Sequence, residues 1–125
     1  MILVDTSVWV DHLRRADSAL AVLLERGTVL MHPFVVGEIA CGSLAHRLAV
    51  LELLQHLPMA EVAGTDEIGA FIDRRHLRGQ GIGLIDAHLL ASTLLTAGAR
   101  LWTRDKRLRA AAQALACDHP AAGAH

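Results

Sequence analysis

A few acidic side chains in this sequence stand where carboxylates are costly. Asp5 is the only charged residue among the first ten, directly after Ile2-Leu3-Val4. Glu38 is the only Asp, Glu, Lys or Arg between Arg26 and Arg47, inside HPFVVGEIACGSL. Asp86 is the only one between Arg78 and Arg100, inside GIGLIDAHLLASTLL. Asp105 follows the apolar Leu101-Trp102 pair and heads DKRLRAAAQAL. Asp is a poor strand residue, and an ionised carboxylate in apolar surroundings must be paired, bound to a cation, or protonated. Asp86 is the sharpest case: on a helix, Leu89 and Leu90 lie one turn on, so no polar stripe carries it.

Each carboxylate also has a structural account of its own. Asp5 and Asp105 suit helix caps, although Thr6 or Ser7 could start the first helix without Asp5. Glu38 suits an exposed helix face, and Asp86 a buried pair with an arginine. One cluster explains all of them together. Grouped carboxylates repel and drag pKa values upward unless a cation sits among them, and all-oxygen donors select hard ions, Mg²⁺ or Mn²⁺. Such a site, with open coordination positions, suits metal-assisted attack of water on a phosphodiester. Asp11, Asp17, Glu25, Glu52, Asp66, Glu67 and Asp73 have charged or capping neighbours and read as solvated faces.

The elements that must position these groups follow from the hydrophobic pattern. Short apolar segments at Ile2–Val4, Val29–Met31, Met59–Val62, Arg100–Thr103 and Leu115–Cys117 predict strands. Helices are predicted from Thr6 or Ser7 through Leu13, and over Asp17–Arg26, Phe34–Leu44 and Arg47–His56. Three more run from Thr65 to the Gly79-Gln80-Gly81 break, over Leu84–Thr96, and from Asp105 to Ala114. Strands alternating with helices imply a parallel α/β sheet whose strand C-termini share one edge, where such sheets bind ligands. Asp5 and Asp105 fall just past strand ends on that edge.

Composition narrows the class. The 125 residues suit one domain over residues 1–119, with 120–125 expected as a disordered tail. Hydrophobic residues make up 53% and charged ones 20%, an excess that suggests mostly buried elements, a self-association surface, or a groove for a partner. No apolar run is long enough for a bilayer and the start lacks a signal-peptide pattern, so a cytoplasmic protein is expected. A net charge of −1 argues against non-specific coating of nucleic acid. Cys41 and Cys117 have neither metal-like spacing nor a disulfide framework, and Cys41 reads as a small buried hydrophobe. The eight histidines are scattered: His88 is expected on a different helix face from Asp86, His32 and His119 are read as core or surface residues with lining of the strand-end edge as the alternative, and Trp9 and Trp102 are read as core. A phosphatase of the haloacid dehalogenase type would need a second Asp where Ser7 stands, and a receiver domain an acidic pair at the first strand.

The ordered set ILVDTSVW, Glu38, Asp86-Ala87-His88-Leu89-Leu90-Ala91 and Thr103-Arg104-Asp105 resembles that of PIN-domain ribonucleases. The closest resemblance is to VapC-type toxins of bacterial toxin–antitoxin pairs, and it spans nearly the whole chain. It implies a three-layer α/β sandwich with a five-stranded parallel sheet ordered 3-2-1-4-5. It implies Mg²⁺- or Mn²⁺-dependent endonucleolytic cleavage of RNA, with Asp5, Glu38, Asp86 and Asp105 as catalytic and metal-holding residues. The hydroxyl of Ser7 or Thr103 would orient a ligand or hold a metal-bound water. A homodimer and a VapB-type antitoxin partner are implied, with DNA reached only through the antitoxin. Where many relatives carry a further acidic residue and then an aromatic, Arg107 and Leu108 stand here, which favours a single well-held ion. Arg104, Lys106, Arg107 and Arg109, with Arg74, Arg75 and Arg78, are candidates for steering phosphates toward the acidic centre. Few aromatics (3%) leave little scope for base stacking. The non-enzymatic alternative is a degenerate PIN module that binds RNA or protein without cleaving.

Overall fold

The first charge-free stretch forms the centre of the sheet. In the computed structural model, which describes residues 1–119, β1 (Ile2–Val4) pairs in parallel with β2 (Val29–Leu30) on one side and β3 (Arg100–Trp102) on the other. Leu3 faces Leu30 and Leu101 in the register, and Val4 faces Trp102. Leu3 and Val4 point to opposite faces, yet both are 0% exposed, so both faces of the sheet are covered. The remaining elements are α1 (Thr6–Arg14), α2 (Ser18–Glu25), α3 (Pro33–Ala40), α4 (Arg47–Gln55), α5 (Thr65–Arg74), α6 (Leu84–Leu95) and α7 (Lys106–Ala114). The expected tail 120–125 lies outside the described residues. Among the described residues no helix is long and apolar enough to cross a membrane.

Among the described residues three strands make the sheet, in the order β2-β1-β3, where five were expected. The two outer segments each reach it through a single parallel bridge, Met31 with Met59 and Leu101 with Asp118. At Met59, Pro58 has no N–H to offer, and the chain leaves after Ala60, with the Glu61 N–H donating to Thr96 Oγ1 on α6. At the other flank, Leu115 and Ala116 close α7, Ala116 adopting φ 57°, so pairing begins only at Asp118. The expected strand at Leu115–Cys117 is therefore the end of a helix. Asp118 is half-buried and joined to the sheet by that bridge.

The helices keep their expected places with shorter ends. Gly27, at φ 66°, stops α2 in the left-handed conformation that glycine adopts without strain. α3 ends at Ala40, not Leu44, and Cys41 at its C-cap is exposed rather than buried because Ile39 is the last core residue of that helix. Cys117 is the buried thiol, and burial pushes its pKa up to about 11. Trp9 and Trp102 are core residues, as expected. α6 is buried over the consecutive residues Ala87–Thr93, which confirms the inference drawn from its lack of a polar stripe.

His32 is buried where α3 meets α6. Its Nδ1 accepts the Phe34 N–H at 3.0 Å and caps α3, so the ring proton sits on Nε2 and donates to Ser92 Oγ at 3.1 Å. Burial, reinforced by His88, lowers its pKa from 6.5 to about 4. The folded chain thus binds fewer protons than the unfolded one between those values. Stability held above pH 6.5 is expected to fall as the pH drops toward 4, by on the order of 3 kcal/mol from this residue. Nitrogen-15 NMR should show a neutral Nε2–H imidazole at pH 6 that titrates far below an exposed histidine, while urea midpoints decline across the same window.

Candidate active site

The parallel strands bring their C-termini to one edge, and there the segments Asp5-Thr6-Ser7 and Thr103-Arg104-Asp105 interlock. The Asp5 N–H donates to the Trp102 carbonyl at 2.9 Å, so the ends of β1 and β3 are joined by the last bond of the ladder. Asp5 is at the N-cap of α1, and its carbonyl accepts the N–H groups of Val8 and Trp9. Its side chain, 6% exposed, makes no cap. Instead Asp5 Oδ2 accepts the hydroxyls of Ser7 and Thr103, each at 2.7 Å. Ser7 Oγ in turn accepts the Arg104 N–H at 3.0 Å, and Thr103 Oγ1 accepts the Asp105 N–H at 3.0 Å. Thr6 and Ser7, expected to start the helix as caps, lie inside it and point their hydroxyls at carboxylates.

The other acidic groups converge on this edge from helices. Glu38 projects from the exposed side of α3, whose core side is Val35, Val36 and Ile39, and its Oε1 accepts the Thr6 hydroxyl at 2.6 Å. Asp86 lies in the first turn of α6, half-buried, with the Gly83 N–H donating to Oδ2 at 3.4 Å. Asp105 is the exposed N-cap of α7, with Oδ1 accepting the Leu108 N–H at 2.9 Å. Burial raises the pKa of Asp86 above the usual carboxylate value, the Gly83 bond opposes this, and the charges of Asp5, Asp105 and Glu38 add to the rise. The carboxylates therefore share one electrostatic field, as proximity in an uncompensated cluster requires.

Whether this group fits a cation depends on its donors. Among the described residues no three His, Cys, Asp or Glu side chains are gathered closely enough to enclose an ion. Like charges without a cation hold apart, and each carboxylate is tied to the protein by one oxygen. The second oxygen of each, Asp5 Oδ1, Glu38 Oε2, Asp86 Oδ1 and Asp105 Oδ2, has no protein donor among the described residues. A set of fixed carboxylates with one oxygen apiece to spare fits a hard divalent ion with oxygen ligands.

The basic candidates divide. The Arg104 guanidinium is committed to Asp11 at 2.6 Å and to Asp17, and lies 5.7 Å from the Trp102 ring centre. It ties α1 and the start of α2 to the β3–α7 turn. Asp11 and Asp17, which the sequence presents as solvated, are thus its partners. Arg107 packs over Gly81: at φ 76°, a Cβ there would lie 2.7 Å from Arg107 Nη1. Lys106 is exposed beside Asp105. His88, two residues after Asp86, is buried edge-on to Phe34, with ring centres 4.7 Å apart, and does not join the carboxylates.

Sequence reasoning overlooked Thr6, whose role appears only once α3 is folded against α1. Ser7 and Thr103, expected beside the acidic centre, both donate to Asp5 Oδ2. Thr103 is 3% exposed and both donates to Asp5 and accepts from Asp105. Thr103→Val keeps the shape but removes both bonds, and an expected loss of about 1–3 kcal/mol should appear as a lower urea midpoint with an unchanged slope.

The family model described as PIN domain matches residues 2–114. The chain is 52% identical over 111 residues to Ribonuclease VapC32 of Mycobacterium tuberculosis strain CDC 1551 / Oshkosh, covering 89% of this chain and 90% of that protein. The protein of the same name from strain ATCC 25618 / H37Rv matches to the same extent. With a family-model match that runs almost end to end and relatives at 52% identity, the chain belongs to the PIN-domain family.

Proposed function

We propose that this chain is a metal-dependent endoribonuclease acting as the toxin of a VapBC-type toxin–antitoxin pair. The observation that carries the proposal is the convergence of Asp5, Glu38, Asp86 and Asp105 on the strand-end edge, each with one oxygen unengaged. Extensive identity to proteins named Ribonuclease VapC32 supports the same function.

These residues would hold Mg²⁺ or Mn²⁺, which when bound supplies an acidified water and offsets charge on the phosphate. The chain provides the rest. Ser7 and Thr103 hold one oxygen of Asp5, Oδ2, and leave the other without a protein donor among the described residues. The Gly83 N–H does the same for Asp86 and the Leu108 N–H for Asp105. Lys106 and Arg107, exposed at the start of α7 beside Asp105, counter the repulsion between the acidic centre and RNA. One ion is the stoichiometry expected, since Arg107 and Leu108 follow the last carboxylate. The bridged segments at Met59 and Asp118 are proposed as the third and fifth strands of a 3-2-1-4-5 sheet. A nuclease domain over residues 1–119, a homodimer, a VapB-type antitoxin and a cytoplasmic location complete the proposal.

The experiment is direct. Purified chain incubated with total RNA should cleave it in Mg²⁺ or Mn²⁺, stop in chelator, and resume when either ion is restored. Cleavage unaffected by chelator, or none under any of these conditions, would refute the proposal.

A further inference from the structure

The sequence places Thr6 between the two motif residues Asp5 and Ser7, where it does no more than begin a helix. The fold gives its hydroxyl a different use. Among the acidic groups, each Asp is short and is fixed by a donor on or beside its own strand end or helix turn: Ser7 and Thr103 for Asp5, Gly83 for Asp86, Leu108 for Asp105. Glu38 has one more rotatable bond, stands on the exposed side of α3, and has no such local donor. Unrestrained, it would sample many rotamers in water, and ordering it on a ligand would cost side-chain entropy.

We propose that Thr6 is a positioning residue that pre-orients Glu38 toward the acidic centre, through the 2.6 Å bond from Thr6 Oγ1 to Glu38 Oε1. The adjacent hydroxyls then act as a pair: Ser7 fixes the carboxylate of the strand end, and Thr6 fixes the carboxylate of the facing helix. Thr6 follows Asp5 directly, so the same turn of backbone that delivers one carboxylate sets the position of the other. The bond uses one Glu38 oxygen and leaves Oε2 free, the arrangement found at the three aspartates. It is a charge-assisted hydroxyl–carboxylate bond, the short and strong kind. Groups that orient a ligand without touching the ion commonly change ion affinity by about 10–100-fold when removed.

The inference rests on the proposed ion site, and its test separates the two. Thr6→Val keeps the β-branched shape and removes the donor; Thr6→Ser keeps the donor. Mn²⁺ titrations followed by calorimetry should show an affinity about 10-fold weaker for Thr6→Val, and near wild type for Thr6→Ser. In a Glu38→Gln background, Thr6→Val should cost several-fold less, because the carboxylate it orients is gone. In the metal-free protein, the carboxyl carbon-13 resonance of Glu38 should move in Thr6→Val and stay close to wild type in Thr6→Ser. An undiminished Mn²⁺ affinity in Thr6→Val, an equal loss in the Glu38→Gln background, or an unmoved Glu38 resonance would overturn the role of Thr6 while leaving the ion site intact. Failure of the wild-type chain to bind Mn²⁺ would overturn both.

Discussion

Asp86→Asn is expected to lower RNA cleavage by roughly 1000-fold while the chain stays folded, the loss corresponding to about 4 kcal/mol of transition-state stabilisation. The substitution suits the question because the amide oxygen of Asn can still accept the Gly83 N–H, so the first turn of α6 keeps its bond. Only the charge is removed. Burial and the charges of Asp5, Asp105 and Glu38 already disfavour ionised Asp86 in the metal-free chain. A raised pKa in the folded state means that Asp86 adds to stability at low pH and that this contribution fades as pH rises through that pKa. The metal-free Asp86→Asn chain should therefore unfold at the same or a slightly higher urea concentration than wild type at neutral pH. Single-turnover cleavage and urea melts on the same preparation would separate lost chemistry from lost structure. Asp5→Asn is a less clean probe, because Asp5 is buried and its Oδ2 serves two hydroxyls that an amide can satisfy only in one orientation.

Leu3→Ala should have the largest effect on stability. Leu3 lies in the middle strand, is 0% exposed, and pairs with Leu30 and Leu101. Truncating a fully buried Leu removes transfer free energy and leaves a cavity, typically 2–5 kcal/mol, or about a third of the stability of an ordinary domain. Asp5 is two residues further on, so any loosening of β1 reaches the acidic edge. Leu48→Ala is the control: Leu48 is 80% exposed on α4, and its truncation should change the melting temperature little. Thermal melts of the two variants should differ by several degrees, with cleavage at 37 °C reduced only in Leu3→Ala.

How legible the site was depends on what each residue needed from the fold. Asp5, Glu38 and Asp86 announced themselves because charge in an apolar stretch requires a cause, and that conflict is local. Asp105 posed cap against ligand as alternatives. The structure removes the opposition, since Oδ1 caps α7 and Oδ2 remains free. The bond from Thr6 to Glu38 spans 32 positions, and those from Arg104 to Asp11 and Asp17 span 93 and 87. No spacing rule encodes pairs that depend on how α1 and α3 pack or where the β3–α7 turn falls. Arg104, a candidate for steering phosphates, pairs with Asp11 and Asp17 in the fold. The outer sheet segments are weakly paired for a related reason: Pro58 and the left-handed Ala116 leave each a single parallel bridge among the described residues. Cys41 was assigned by residue type, whereas its position beyond Ile39 at the end of α3 decided its exposure.

The central claim is that the clustered carboxylates cut RNA with a divalent ion, and mapping of new RNA 5′ ends tests it most directly. Total RNA would be treated with wild-type chain and with Asp86→Asn, each in Mn²⁺ and in chelator, and the ends sequenced. The predicted result is a discrete set of new ends that appears only with wild type and Mn²⁺. The same ends appearing at comparable abundance with Asp86→Asn, or with wild type in chelator, would contradict it.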